Sequence, residues 1–291
     1  MNLKKSADIN EQVALLISKG VKIDDCKEAA HTLLNVSYYQ LKGYLLKYKN
    51  RKTNTYENPP SFNHIFALYK FDCELRNIYL YAIEAVEQAI KTYLAYVIAT
   101  ENPDNPAIYK EEIFFKNKQD HVRFINGFES AVNARKQTPF VKHHIDKYNR
   151  EFPIWVASEF FTLGDIQYLY KNIPNKLRRM ISTTYNTSPD VIDNWIDNLR
   201  RTRNLAAHNM RIYDVSFPYS PKHSKAFDEK LPLTKKFFDQ FYLLKILHPS
   251  NLEWKHIVLK IEKIFESYEK IIDLRAIGFP DNWNDYLSFT G

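Results

Sequence analysis

The stretch SFNHIFALYKFDCELRNIYLYAIEAVEQAIKTYLAYVIAT, residues 61–100, decides the fold class, because it contains neither proline nor glycine. Its apolar side chains recur mostly every three or four positions, at Leu75, Ile78, Ala82, Ile83, Val86, Ile90, Leu94 and Val97. This spacing marks one face of an α-helix. Since forty helical residues would extend for about 60 Å, we expect either one bent helix or two helices in line. We interpret the apolar face as core packing.

Helical patterns continue on both sides of this stretch. Short helices are predicted within residues 8–48, followed by a polar loop at residues 49–60 that ends in two prolines. After the long helix, the patterns predict helices near residues 109–116, 118–136, 139–149, 154–170 (two helices hinged at Gly164), 174–183, 189–207, 233–246 and 251–273. No strand pattern alternates convincingly, and the chain has only 6 glycines for tight turns.

The sequence therefore predicts an all-α protein, a helical bundle with helical additions at both ends. We expect an N-terminal helical extension over residues 1–60 and a helical core over residues 61–215. A C-terminal helical region, residues 216–291, is expected to pack on that core.

Composition limits the class of protein further. The chain has 41 Lys+Arg against 34 Asp+Glu, a formal charge of +7, which is compatible with a polyanionic partner and also with solvated basic helix faces. Two distant cysteines, Cys26 and Cys73, cannot form a disulfide framework or a zinc knuckle and indicate a reducing compartment. The N-terminus lacks the apolar segment of a signal peptide, and no window approaches the ~20 apolar residues of a membrane span. We expect a cytoplasmic protein with no membrane partner.

The densest polar cluster is LRRTRNLAAHNMRIYD at residues 199–214. On one continuous helix, a single face would carry Arg201, Asn204, His208 and Arg211, with Arg200 beside it. Arg203 and His208 are five residues apart, about 140° around a helix. Both could reach one substrate only if the helix ended or distorted near Ala207, or if two chains formed the site together.

These residue types suit the cleavage of RNA. A histidine moves protons near neutral pH, and an arginine binds a phosphate and opposes the charge that develops on it. RNA supplies its own nucleophile, the 2′-hydroxyl, so neither a metal nor another cofactor is needed. Residues 171–236 contain 13 Lys+Arg against 6 Asp+Glu, a surplus of 7 that equals the excess of the whole chain. A histidine at a packed helix end among solvated arginines remains the structural alternative.

Several segments resemble one family. RNLAAH at residues 203–208 fits the Arg-x4–6-His signature of HEPN ribonucleases, and RNLAAHNMRIYD resembles the corresponding stretch of the Abi-like (AbiD/AbiF) abortive-infection proteins. FPIWVASEFFTLGDIQYLYKNI at 152–173, the helix pattern at 62–94 and SYYQLKGYLLKY at 37–48 resemble other segments of that family, in the same order along the chain.

This resemblance implies an all-helical HEPN bundle and a metal-independent endoribonuclease that acts in phage defence as a toxin-like effector, commonly as a homodimer. It implies that Arg203 binds the scissile phosphate, that His208 is the general acid or base, and that Asn204 orients one of them. RNA contacts are expected from Arg200, Arg201 and Arg211. Many relatives carry a second histidine where this chain has Asn209, so the resemblance assigns no role to this position.

Other polar residues are interpreted structurally. Arg76 and Asn77 form an Arg-Asn pair with no histidine within six residues, and we interpret them as a feature of the core helix. We expect Glu84 and Glu87 to lie near the bundle interior and to pair with arginines. His143 and His144 have no second pair of ligands at metal-binding spacing, and we expect them in an exposed loop.

Two alternatives to a ribonuclease stay open at this stage. One is a non-catalytic module that binds a structured regulatory RNA. The other is a helical interaction protein in which His208 is purely structural.

Overall fold

The computed structural model describes residues 5–50, 52–227 and 230–289. These residues are helical where they are regular, and their only strand-like feature is an isolated bridge between Lys49 and Tyr56. The all-α prediction is therefore confirmed. The described α-helices are, in chain order, α1 (Ile9–Ser18), α2 (Cys26–Asn35), α3 (Tyr38–Gly43), α4 (Phe62–Glu101), α5 (Lys118–Ala134), α6 (Pro139–Lys147), α7 (Ile154–Ala157), α8 (Leu163–Asn172), α9 (Asn175–Thr184), α10 (Pro189–Ala207), α11 (Phe237–Leu247), α12 (Asn251–Ser267) and α13 (Trp283–Leu287).

Helix α4 is the central element of the fold. It is a single helix of 40 residues, so residues 61–100 do not form two helices in line. Ser61 caps it by accepting a hydrogen bond from the His64 N–H at 3.3 Å. Its apolar face is buried, as the spacing predicted, and it packs against α7, α9, α10 and α12.

The buried core is continuous from the N-terminal helices to the C-terminal ones. It joins Leu16 of α1, Leu75 of α4, Trp195 of α10 and Trp254 of α12, all of them fully or almost fully buried. Helix α11 packs on α4 and α10, and α12 packs on α4. The aromatic tail after Gly278 adds to this core: Trp254 Nε1 donates to the Leu287 carbonyl at 2.7 Å.

Three local expectations were wrong. The break within residues 154–170 falls before Gly164, because Thr162 and Asp165 form a capping box that begins α8 at Leu163. Glu84 lies on the exposed side of α4 and makes no ion pair with a described residue. His143 and His144 lie on helix α6 rather than in a loop, and the His144 ring stacks on Phe152.

No helix in the described part of the chain is both long enough and apolar enough to cross a membrane.

Candidate functional site

Helix α10 carries most of the predicted motif and ends just before His208. Its last helical residue is Ala207, and His208 follows as the C-cap. The N–H of Asn209 donates to the Ala206 carbonyl at 3.2 Å, and the N–H of Met210 donates to the Leu205 carbonyl at 3.0 Å. This pair of bonds is a Schellman motif, which reverses the chain direction at a helix end.

Asn209 takes the left-handed conformation that this motif requires, with φ of 55°. Glycine usually occupies that position, and asparagine is the common substitute because its short polar side chain tolerates positive φ. The structure thus gives Asn209 a role in ending helix α10, whereas the family resemblance assigned no role to this position.

Two of the predicted catalytic side chains, Arg203 and His208, are free of strong internal partners. Arg203 is half-buried, and its Nη1 lies 3.3 Å from Oδ1 of Asn204, with no ion pair among the residues described. His208 is exposed, and its side chain forms no hydrogen bond with any described residue. The helix ends between the two residues, as a common substrate would require.

Arg211 does not share the helix face on which the spacing had placed it. The expected face of Arg201, Asn204, His208 and Arg211 requires a continuous helix, and the Schellman motif ends that helix before Arg211. The Arg211 guanidinium instead lies over the Tyr44 ring, 5.7 Å from its centroid. Gly43 lies next to it: a Cβ at this position would be 3.5 Å from Arg211 Cδ, an ordinary van der Waals contact.

The segment that follows His208 is anchored to helix α4 through one buried carboxylate. Asp72 is fully buried and accepts hydrogen bonds from the N–H groups of Ile212, at 3.0 Å, and Tyr213, at 2.9 Å. It also accepts from the Tyr44 hydroxyl at 2.7 Å. A single side chain on α4 therefore holds both the segment that carries Arg211 and the tyrosine under the Arg211 guanidinium.

Arg76 completes this anchor. Its Nη1 lies 3.0 Å from Oδ2 of Asp72 and 3.4 Å from the Met210 carbonyl, and the side chain is only 3% exposed. Burial raises the pKa of Asp72, an effect that the hydrogen bonds and the Arg76 charge oppose. Burial, with the neighbouring Asp72 carboxylate, raises the pKa of Tyr44 far above its ordinary value, so this hydroxyl remains a donor.

The other two predicted RNA-binding arginines share one carboxylate. Arg200 Nη2 lies 2.7 Å from Asp197 Oδ1, and Arg201 Nε lies 2.6 Å from Asp197 Oδ2. Arg200 also donates to Gln167 Oε1 at 2.8 Å. Burial raises the pKa of Asp197, but the hydrogen bonds from both arginines outweigh it, and the pKa is lowered. The charge of these arginines is thus partly neutralised, unlike that of Arg203 and Arg211, which form no ion pair with a described residue.

Sequence reasoning missed Asp72, Tyr44 and the role of Arg76. A signal was present, because Asp72 and Arg76 stand four residues apart on the apolar face of α4, where a charge is costly unless paired. Their partners could not be found in the same way, since Ile212 lies 140 residues further along the chain.

Within residues 5–50, 52–227 and 230–289, no group of three His, Cys, Asp or Glu side chains could hold a metal ion.

Comparison with known proteins identifies one family. The model of a family described as Abi-like protein matches residues 31–214, which is more than half of the 291 residues. The match runs from α2 to the end of the segment anchored by Asp72 and includes the whole candidate site. No curated protein and no solved structure matches the chain significantly.

Proposed function

The chain belongs to the Abi-like family, and on that premise we propose that it is a metal-independent endoribonuclease of the HEPN type. Membership of the family suggests a role in abortive infection. In this proposal the protein acts in phage defence as a toxin-like effector whose substrate is RNA.

One observation carries the proposal: Arg203 lies in the last turns of helix α10 without a carboxylate partner among the described residues, and the exposed His208 is the cap at the end of the same helix. Three other arginines of this region are paired with carboxylates, Arg200 and Arg201 with Asp197 and Arg178 with Asp190, whereas Arg211, like Arg203, forms no ion pair with a described residue. A guanidinium kept free of carboxylates retains its full charge and its donors for a phosphate.

The chemistry follows from these two groups. The 2′-oxygen of the substrate attacks the adjacent phosphorus, the bond from phosphorus to the 5′-oxygen breaks, and the products are a 2′,3′-cyclic phosphate and a 5′-hydroxyl. Arg203 binds the phosphate and stabilises the charge that develops on its oxygens. His208 takes the proton from the 2′-hydroxyl or delivers one to the departing 5′-oxygen. Asn204, in contact with Arg203, orients the guanidinium.

The reaction needs two proton transfers, and each copy of the chain offers one histidine for them in this motif. We therefore propose a two-fold homodimer in which the motifs of both copies line one cleft. Arg211 holds the RNA strand beyond the scissile phosphate, while Arg200 and Arg201 contribute a weaker attraction because Asp197 partly neutralises them.

RNA cleavage by purified protein in EDTA tests this function. We expect the wild type to cut RNA and His208→Ala to lower the rate by about 10²–10⁴-fold, the usual contribution of a general acid or base. Arg203→Ala should be similarly impaired. His143→Ala is the matched control, because His143 is an exposed histidine of helix α6 outside the motif.

The outcomes separate the alternatives. Cutting that is equal in His208→Ala and the wild type would exclude His208 as the proton carrier and refute the proposal. No cutting by either protein, with RNA binding retained, would favour the non-catalytic RNA-binding module. For the dimer, dilution should reduce the activity per molecule, and a constant specific activity would refute it.

A further inference from the structure

A groove lies between helices α5 and α8, and Arg200 of helix α10 also lines it. Its volume is about 470 Å³, within the range of small-molecule sites, and the groove is open to solvent. Its lining combines apolar and charged groups, Arg123, Phe124, Gly127, Gly164, Asp165, Gln167, Tyr168 and Arg200. The chain has only 6 glycines, and two of them line this groove.

The groove contains one cation without an acidic partner. The Arg123 guanidinium lies over the Tyr168 ring, 5.2 Å from its centroid, and makes no ion pair with any residue that the structure describes. Three acids nearby are engaged: Asp120 accepts from the Tyr168 hydroxyl, Asp165 caps α8 through Thr162, and Asp197 pairs with Arg200. Anion binding in the groove would therefore fall to Arg123.

Tyr168 supplies a neutral aromatic surface beside this cation. Its hydroxyl donates to Asp120 Oδ1 at 2.5 Å. Burial, together with this hydrogen bond, raises the pKa of Tyr168 to about 12, so the ring is uncharged at neutral pH. An arginine stacked on a tyrosine is a surface on which nucleobases stack.

The groove is close to the motif along helix α10. Helices α8 and α10 run antiparallel, since Lys171 lies 3.7 Å from Asp193 and Gln167 lies 3.2 Å from Asp197. The Gly164 end of α8 meets Arg200, whose Cδ would lie 3.8 Å from a Cβ at position 164. Arg203 follows Arg200 by three residues, about 4.5 Å along the helix axis.

We propose that this groove binds one nucleotide of a single-stranded RNA next to the scissile phosphate, with its base on the Arg123–Tyr168 surface and its phosphate at Arg123. The inference rests on the proposed function, and it names the substrate as unpaired RNA. A base held in a duplex cannot enter the groove, because both of its faces are stacked on its neighbours.

Gly127 allows a test that leaves the fold intact. A Cβ at this helical position would meet no atom within 4 Å, and leucine has a higher helix propensity than glycine. Gly127→Leu therefore fills the groove without crowding the core. Asn126→Leu is the matched control, since Asn126 is exposed on the same helix and does not line the groove.

Binding is measured by fluorescence anisotropy with a labelled single-stranded oligoribonucleotide, in full-length His208→Ala protein so that cleavage does not interfere. We expect Gly127→Leu to weaken binding by about tenfold, or about 1.4 kcal/mol. Asn126→Leu should bind as the parent does, and Arg123→Ala should weaken binding with a smaller dependence on salt. A duplex of the same sequence should bind equally to the parent and to Gly127→Leu.

Equal binding of the single strand by the parent, Gly127→Leu and Asn126→Leu would overturn the inference, as would absence of RNA binding altogether. The result is separable from the nuclease test. Loss of binding in Gly127→Leu together with an inactive wild type would retain the groove as an RNA site and reject the nuclease. An active wild type with unchanged binding in Gly127→Leu would support the nuclease and reject the groove as an RNA site.

Discussion

Replacing Asp72 with asparagine removes the charge of the buried anchor while keeping its shape. The carboxylate accepts from two backbone N–H groups, from Tyr44 and from Arg76. An asparagine offers one acceptor oxygen, and its NH₂ group must point at some of the same donors. The perturbation therefore affects helix α4 and the segment after His208 together.

The expected loss follows from the burial of Arg76. Without the Asp72 carboxylate, the other partners of this 3% exposed guanidinium among the described residues are Cys73 Sγ at 3.0 Å and the Met210 carbonyl at 3.4 Å. Breaking a buried ion pair by removing one partner costs about 3–5 kcal/mol, because the remaining charge is uncompensated. We expect Asp72→Asn to lower the free energy of unfolding by that amount, a large part of the roughly 5–15 kcal/mol of a typical domain.

Urea unfolding followed by circular dichroism measures this loss. Arg76→Met and the double variant complete a cycle, and the double variant should lose less stability than the sum of the single variants, by about 1–3 kcal/mol. Tyr44→Phe is the control: it removes one hydrogen bond, keeps the ring under Arg211, and should cost about 1 kcal/mol. If Asp72→Asn loses less than about 1 kcal/mol and the effects of the single variants are additive, Asp72 and Arg76 do not form a stabilising buried pair.

Two further predictions concern single positions. Asn209→Gly should leave the melting temperature nearly unchanged, whereas Asn209→Val should cost about 1–2 kcal/mol in thermal unfolding, because a β-branched residue resists positive φ; equal stability of the two variants would contradict the Schellman assignment. Asp197 has a lowered pKa in the folded protein, so its stabilising effect is present above the unfolded pKa of about 4 and is lost as the pH falls through the lowered value. Asp197→Asn should therefore be less stable than the wild type at neutral pH, and urea titrations should show the difference shrinking below about pH 4; a difference that stays constant with pH would exclude this origin.

The regular helices were predictable because their signals are local. Residues 61–100 lack breakers and keep one apolar face, and α10 begins at Pro189, as the sequence predicted. The predicted helix end at residue 207 is correct, but the shared face of Arg201, Asn204, His208 and Arg211 was wrong, because it needed a helix that continued past Ala207. The spacing of Arg211 continues that of the preceding turn, so spacing alone does not place it outside the helix. The residue with positive φ at the helix end is Asn209, and a glycine there would have been a clearer signal.

The candidate site was predictable only in its composition. The motif located Arg203 and His208, but the partners that hold the neighbouring segment come from α4 and from Tyr44, far away in sequence. The groove at Arg123 combines three helices, and no pattern within any one of them indicates it. Such contacts depend on how the helices pack against one another, and the local patterns of a single sequence do not indicate which residues will meet.

The anchor at Asp72 also has a consequence for the order in which the protein is made. Its hydrogen-bond partner Ile212 is synthesised 140 residues later, and at about 5–20 residues per second this interval is on the order of ten seconds. During that time helix α4 can form, but the N–H groups of Ile212 and Tyr213, which donate to Asp72, have not yet been synthesised. A chain interrupted before residue 212 contains Arg203 and His208 without the contact that holds the segment beyond them. The proposed active centre thus matures late in translation, so incomplete chains would leave the ribosome without an assembled site.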